Sequence, residues 1–154
     1  MSDMERAHEF DLAFMRCAES IAELSRCVRL KVGAIIVKDG NIISMGYNGT
    51  PKGFDNCCEI EVSTWNEELQ QDETALKTKE EVLHAEANAI TKAAKSTYST
   101  DGASLYCTDS CCFGCAKLIV QAGISSFFYK RAYRDQSGLD LLRKAGIRVT
   151  QVTY

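Results

Sequence analysis

The chain has 154 residues, of which 45% are hydrophobic and 25% charged, with a formal net charge of -3. This length favours one domain with a sizeable core, so we expect a single domain over residues 1–154. No apolar run approaches the ~18 residues that suggest a membrane span. Residues 1–5 lack the pattern of a signal peptide, and eight cysteines without an export signal favour reduced thiols over a disulfide framework. We therefore expect a cytoplasmic protein.

The charge is unevenly distributed along the chain. Residues 55–81 hold nine acidic residues against two lysines, a net charge of -7, which leaves +4 for the remainder. We expect this segment to be a solvated acidic insertion, and its pattern leaves the secondary structure open, with parts that could be helical. The basic excess elsewhere suits a phosphate-bearing small molecule but is too little clustered for a nucleic-acid groove. We therefore expect neither nucleic-acid nor membrane partners.

The rest of the chain alternates between helices and strands. A capping-box spacing at Ser2 and Glu5 precedes apolar residues at helical intervals, which predicts a helix over about 4–24. The turn Asp39-Gly40 is typical of a hairpin between two apolar strands. The predicted strands are 32–37, 41–47, 103–107, 126–129 and 147–152, and the later helices are about 83–95, 111–123 and 138–145. This order predicts an α/β fold with three layers, in which helices cover both faces of a five-stranded mixed sheet.

Individual side chains in these elements are also expected to be buried. Phe127, Phe128 and Tyr129 read as sheet core, and Cys17 and Cys107 as small buried apolar residues.

Two motifs carry the chemistry: His84-Ala85-Glu86 and, further on, Cys112-Phe113-Gly114-Cys115. One imidazole and two thiolates are zinc ligands, and three protein ligands leave the fourth tetrahedral position open, as catalytic sites require. Cys112 and Cys115 would lie in the first turn of a helix, whose positive end favours thiolates. Glu86 is placed to move protons to and from a water at the metal. The combination predicts a zinc-dependent deaminase of nucleobases.

Two other interpretations of these motifs stay open. The cysteine pair alone could be a dithiol switch, although this leaves His84 and Glu86 unexplained. The site could also be a non-catalytic zinc-binding module, in which Glu86 has no role.

Four stretches resemble the deoxycytidylate deaminases, a group within the cytidine deaminase superfamily: His84–Ile90, Cys112–Lys117, Lys31–Ala34 and Gly46–Pro51. The resemblance implies a cytidine deaminase-like fold and hydrolysis of dCMP to dUMP and ammonia, which supplies dUMP for thymidylate synthesis. It also implies a homo-oligomer, commonly a hexamer in the family, with dCTP (together with Mg²⁺) as activator and dTTP as inhibitor. Other superfamily enzymes, acting on free cytidine or deoxycytidine or on tRNA adenosine, are the nearest alternatives.

The resemblance also assigns contacts to the substrate. Asn48 would hydrogen-bond the sugar, the backbone N–H of Ala85 would meet the base carbonyl, and the backbone carbonyl of Ser110 would accept from the amino group. Asn48-Gly49 could equally be only a turn. Arg26, and less so Lys31, are candidates to bind the substrate phosphate, with solvated surface charge as the alternative.

Two further cysteine features remain ambiguous. Cys111 stands where the family usually has proline, so it could replace Cys112 as a ligand or be oxidised, although the spacing to Cys115 favours Cys112. Cys27, Cys57 and Cys58 suggest a second zinc site, such as some family members carry, but no fourth ligand is evident.

Overall fold

The structure, a computed structural model, describes residues 1–154 as four helices and seven strands. The helices are α1 Asp3–Ala22, α2 Ala85–Ala94, α3 Phe113–Gln121 and α4 Ser137–Lys144. The strands are β1 Gly33–Lys38, β2 Asn41–Tyr47, β3 Glu59–Asn66, β4 Gln71–Thr78, β5 Ser104–Asp109, β6 Ser126–Arg131 and β7 Arg148–Gln151. All nine elements predicted from the pattern are present, and none of the helices has the length and apolarity needed to cross a bilayer.

Five strands form one mixed sheet in the order β2-β1-β5-β6-β7. Strand β1 is antiparallel to β2 and to β5, whereas β5, β6 and β7 run parallel. Parallel strands need crossover connections, and α3 and α4 supply them. The carboxyl ends of β5 and β6 therefore meet at one edge of the sheet, where the chain turns into the segments that carry the site.

Helices cover both faces of the sheet, but unequally. The larger core joins alternate residues of β1 and β5, such as Ile36 and Leu105, with buried residues of α2, α3 and α4. The smaller core joins the other alternation, such as Ile35 and Tyr106, with Met15 and Ala18 of α1. Side chains alternate between the two faces of a strand, so one strand supplies both cores. The predicted three-layer fold is confirmed.

The acidic segment 55–81 contains a β-hairpin. Strands β3 and β4 pair antiparallel from Glu59 opposite Thr78 to Asn66 opposite Gln71, and they pack against no other helix or strand. The suggestion that parts of this segment are helical is therefore wrong. Its β-branched residues Ile60, Val62 and Thr64 alternate with polar ones, which is a strand pattern that the density of charge obscures.

Three expectations about individual residues have different outcomes. The aromatic residues of β6 and the thiol of Cys107 are buried, as predicted. Cys17 is exposed, because α1 turns Met15, Ala18 and Ala22 towards the sheet and Cys17 away from it. The eight thiols are not all free, since Cys27 and Cys58 form a disulfide with their Cα atoms 5.1 Å apart.

Candidate metal and substrate site

His84 and Cys112 each stand immediately before a helix. His84 is the N-cap of α2 and Cys112 the N-cap of α3, and the two helices begin at the same edge of the sheet. Close packing fixes both helix starts: a side chain on Gly46 would meet the carbonyl of Ala85 at 2.5 Å, and one on Gly138 would meet that of Cys111 at 2.2 Å. The backbone therefore positions the ligand candidates before any metal binds.

The imidazole and the two thiols of the motifs converge. Nδ1 of His84 lies 3.4 Å from Sγ of Cys112 and 3.4 Å from Sγ of Cys115, and all three atoms lie within 4.8 Å of one another. Tetrahedral zinc, with Zn–N near 2.0 Å and Zn–S near 2.3 Å, holds such atoms ~3.6 Å apart. The observed spacing therefore fits zinc without rearrangement of the backbone.

The three groups also perturb one another's protonation. The thiol of Cys115 and the imidazole of His84 lower the pKa of Cys112 to about 3. Hydrogen bonding to Cys112 raises the pKa of the His84 imidazole. Hydrogen bonding to Cys112 and burial together raise the pKa of the Cys115 thiol. A proton is thus held among the three ligand atoms, where a divalent cation would displace it.

Glu86 lies in the first turn of α2, beside the ligand cluster, and is 4% exposed. Its Oε1 accepts a hydrogen bond of 3.1 Å from the thiol of Cys107 on β5. Burial raises the pKa of this carboxyl, while the Cys107 hydrogen bond acts in the opposite direction. A buried carboxyl group with a raised pKa holds a proton more readily than a free one, which suits a group that must take up and release protons.

A cavity of about 380 Å³ opens onto this cluster. Its wall includes three residues predicted to serve catalysis or substrate binding, namely Glu86, Ala85 and Asn48, together with His84. Ala85 is the first residue of α2, so its N–H is one of those that a helix leaves without an internal partner. This N–H is available to a carbonyl group in the cavity.

Asn48 and Ser110 have structural contacts of their own. The side chain of Asn48 accepts from the N–H of Val32 at 2.8 Å and donates to the carbonyl of Leu30 at 2.8 Å. The hydroxyl of Ser110, which is fully buried, accepts from the N–H of Tyr133 at 2.7 Å. Both residues therefore fix the loops of the cavity wall, whatever else they bind.

Arg26 does not line this cavity. It lies on a neighbouring one, beside Tyr47 and Thr50, whereas Arg29 lines the cavity that contains His84 and Glu86. Sequence reasoning missed Arg29, Asp109 and Tyr133, which also line it. Arg29 lies four residues before β1, and Asp109 ends β5 at the edge where the ligands lie. Closeness to a strand end was therefore the sequence signal that could have identified them.

The remaining cysteine candidates separate clearly. Cys111 is fully buried and is not among the three converging ligand atoms, and burial raises its pKa to about 12. Of the proposed second metal ligands, Cys27 and Cys58 form the disulfide and the carboxylate of Glu59 lies near them. Cys57 is exposed, with its thiol directed to the carbonyl of Glu59 at 3.2 Å.

The chain is similar to known proteins over most of its length. Residues 8–131 match the cytidine and deoxycytidylate deaminase zinc-binding region. The chain is 35% identical to the deoxycytidylate deaminase of Saccharomyces cerevisiae over 147 residues, covering 94% of this chain but 45% of the yeast protein. It is 35% identical to that of enterobacteria phage T4 over 169 aligned positions, covering 90% and 87% of the two chains.

A solved structure is similar over almost the whole chain. The dCMP deaminase of cyanophage S-TIM5, crystallised in complex with dCMP and dUMP, superimposes with a TM-score of 0.81 and 42% sequence identity, covering 98% of both chains. Together with the matched zinc-binding region, this similarity confirms the resemblance seen in the motifs. The chain belongs to the cytidine and deoxycytidylate deaminase family.

Proposed function

We propose that this protein is a zinc-dependent enzyme that hydrolyses dCMP to dUMP and ammonia, supplying dUMP for thymidylate synthesis. The observation that carries the proposal is the buried Glu86 at the wall of a cavity, beside three converging zinc-type ligand atoms. The dCMP and dUMP bound to the similar cyanophage enzyme support this choice of substrate.

His84, Cys112 and Cys115 would hold the zinc, which when bound supplies a water that ionises near neutral pH. Glu86 accepts a proton from the attacking water and delivers it to the ring nitrogen next to the reacting carbon. The water oxygen bonds to the carbon, the bond from that carbon to the amino nitrogen breaks, and Glu86 passes the second proton to the departing ammonia. The atoms of water are thus divided between dUMP and ammonia.

The remaining contacts orient the base and sugar. The N–H of Ala85, unpaired at the start of α2, would donate to the base carbonyl, and the carbonyl of Ser110 would accept from the amino group. Asn48 would contact the sugar with the hydrogen-bonding capacity left beyond Val32 and Leu30. These roles are inferred from the family resemblance and supported by the positions of Ala85 and Asn48 on the cavity wall.

We infer that Arg29, rather than Arg26, binds the substrate phosphate, because Arg29 lines the catalytic cavity. Arg29→Ala should raise KM for dCMP at least tenfold, through loss of a charge-assisted contact. Deoxycytidine, which lacks the phosphate, should show no comparable change. The matched variant Arg26→Ala should leave both substrates unaffected, and the reverse result would restore the original assignment.

Regulation and assembly follow from the family resemblance. We propose a cytoplasmic homo-oligomer, with a hexamer as the expected assembly, activated by dCTP with Mg²⁺ and inhibited by dTTP. A dCMP assay with and without each effector, and a molar mass measured by light scattering, test these properties.

A second zinc requires the reduced form of the protein. The thiols of Cys27 and Cys58 and the carboxylate of Glu59 lie within 4.8 Å of one another, which supports a site once the disulfide is opened. The Glu59 carboxylate already accepts hydrogen bonds from two backbone N–H groups, which compete with a metal. A zinc count of one per chain in reduced protein would reject the second site.

The decisive experiment follows the absorbance change on deamination of dCMP, deoxycytidine and CMP by the zinc-loaded protein. Efficient turnover of dCMP, with weak turnover of the other two, supports the proposal. Equal turnover of deoxycytidine would indicate a nucleoside deaminase instead. Activity that survives complete removal of zinc by a chelator would overturn the proposed chemistry.

A further inference from the structure

A buried acidic side chain lies in the catalytic cavity without a role in the proposed chemistry. Asp109 is the last residue of β5, is 5% exposed and lines the same cavity as Glu86. Its Oδ1 accepts a hydrogen bond of 2.7 Å from Nε of Arg131, the residue beside it on β6. A carboxylate accepts about four hydrogen bonds, so this contact leaves acceptor capacity on Asp109.

The charge of Asp109 conflicts with the proposed substrate, since a carboxylate repels a phosphate in the same cavity. A buried carboxylate is retained at low cost only when an opposite charge lies beside it. Arg131 provides that charge, and its own side chain remains 55% exposed. The pair therefore places an acceptor in the cavity without adding net charge to it.

The position of the pair indicates which part of the substrate it meets. Nη2 of Arg131 lies 3.5 Å from the carbonyl of Lys31. The next residue, Val32, donates its N–H to Asn48, the residue proposed to contact the sugar. The dCMP molecule has two groups that donate hydrogen bonds, the amino group of the base and the 3′-hydroxyl of the sugar. The amino group must lie near Glu86, which leaves the 3′-hydroxyl for Asp109.

We propose that Asp109 accepts a hydrogen bond from the 3′-hydroxyl of the deoxynucleotide and thereby determines the preference for substrates that carry this hydroxyl. Arg131 is a positioning residue, which orients Asp109 and balances its charge so that the phosphate can enter. This assignment rests on the proposed function, because it takes dCMP as the substrate.

The test combines substrate and protein changes. The 3′-hydroxyl is removed by using 2′,3′-dideoxycytidine 5′-monophosphate, and the acceptor is removed by Asp109→Ala. The wild-type enzyme should favour dCMP over the dideoxy analogue by about tenfold or more in kcat/KM, the loss expected for one hydrogen bond to a charged group. In Asp109→Ala this preference should fall at least several-fold, to the part that the contact of Asn48 with the sugar contributes.

A second variant guards against misfolding. Asp109→Asn is nearly isosteric and keeps one oxygen acceptor, so it should retain part of the preference for dCMP. A preference that stays at the wild-type value in both variants would overturn the assignment of Asp109. Failure of the wild-type enzyme to deaminate dCMP at all would instead reject the proposed function.

Arg131→Gln tests the balance of charge. It leaves the Asp109 carboxylate unpaired, so KM should rise several-fold more for dCMP than for deoxycytidine, with kcat affected less. Lys130→Gln is the matched control, because Lys130 is the adjacent residue of β6 and forms a 2.5 Å ion pair with Glu19, away from the cavity residues. Equal increases for both substrates in Arg131→Gln, or the same selective increase in Lys130→Gln, would overturn the role of Arg131.

Discussion

Two cysteine clusters lie in this molecule and differ in what completes them. Cys112 and Cys115 face the imidazole of His84, whose Nδ1 has only the two thiols as partners. Cys27 and Cys58 face the carboxylate of Glu59, which already accepts N–H groups of Val28 and Arg29 at 2.8 and 3.1 Å. The first cluster offers three ligand atoms to a metal, whereas in the second the thiols have paired with each other.

The comparison shows that the third group decides the chemistry of a pair of thiols. A nitrogen ligand held at the start of a helix makes the pair a metal site, and a carboxylate committed to the backbone does not. Residue types were similar in the two clusters, so composition alone could not separate them.

The largest effect is expected for Glu86→Gln. Glutamine keeps the shape and the hydrogen bond to Cys107 but cannot carry a proton, so kcat for dCMP should fall about a thousandfold. Zinc content should remain one per chain, measured by elemental analysis. Retention of turnover would show that the reaction does not need this carboxyl group and that a different group carries the proton.

Cys112→Ser should weaken zinc binding by more than a hundredfold, since even residues that merely support a ligand contribute up to that amount. Cys111→Ser, its neighbour in sequence, is the matched control and should keep zinc, as should Cys111→Pro. Zinc binding is measured by competition with a chromogenic chelator. Loss of zinc from the Cys111 variants, with retention in Cys112→Ser, would mean that the other cysteine is the ligand.

The second cluster should contribute stability rather than activity. The disulfide closes a loop with a sequence separation of 31 residues, and a crosslink of this span contributes about 3–4 kcal/mol to the free energy of unfolding. Reductant should therefore lower the melting temperature of the wild-type protein but not of Cys58→Ser. A melting temperature that does not respond to reductant in either protein would contradict the disulfide.

The smallest effect is expected for Gly138→Ala. The added methyl group would meet the carbonyl of Cys111 at 2.2 Å, and overpacking of this kind costs about 2 kcal/mol. Because the same segment carries Cys112, zinc binding should weaken together with the free energy of unfolding in denaturant titrations. Lys144→Ala, on an exposed part of α4, is the control, and equal behaviour of the two variants would show that packing does not position the site.

The nine elements of the sheet and its helices were predictable because the helices carry apolar residues at helical spacing and the strands are short apolar runs bounded by turn residues. The metal cluster was predictable because its ligands are uncommon residue types at characteristic spacings. The hairpin was not predictable, because its many charged residues obscure the alternation typical of strands. It also packs against no other helix or strand, so no buried face gives it an apolar pattern. Arg29, Asp109 and Tyr133 were missed because segments near strand ends that are far apart in sequence bring them to one cavity, and only the topology reveals this.

The hairpin of β3 and β4 should tolerate inserted residues at its tip but not at its base. Its base belongs to the cavity wall through Glu59 and Thr78, while its tip, near Glu67, lies in solvent beside the 55% exposed Trp65. Chain length can therefore vary at the tip without disturbing the reaction centre, which makes this the place to insert a tag or a fluorescent reporter. The same insertion at the base would open the substrate cavity.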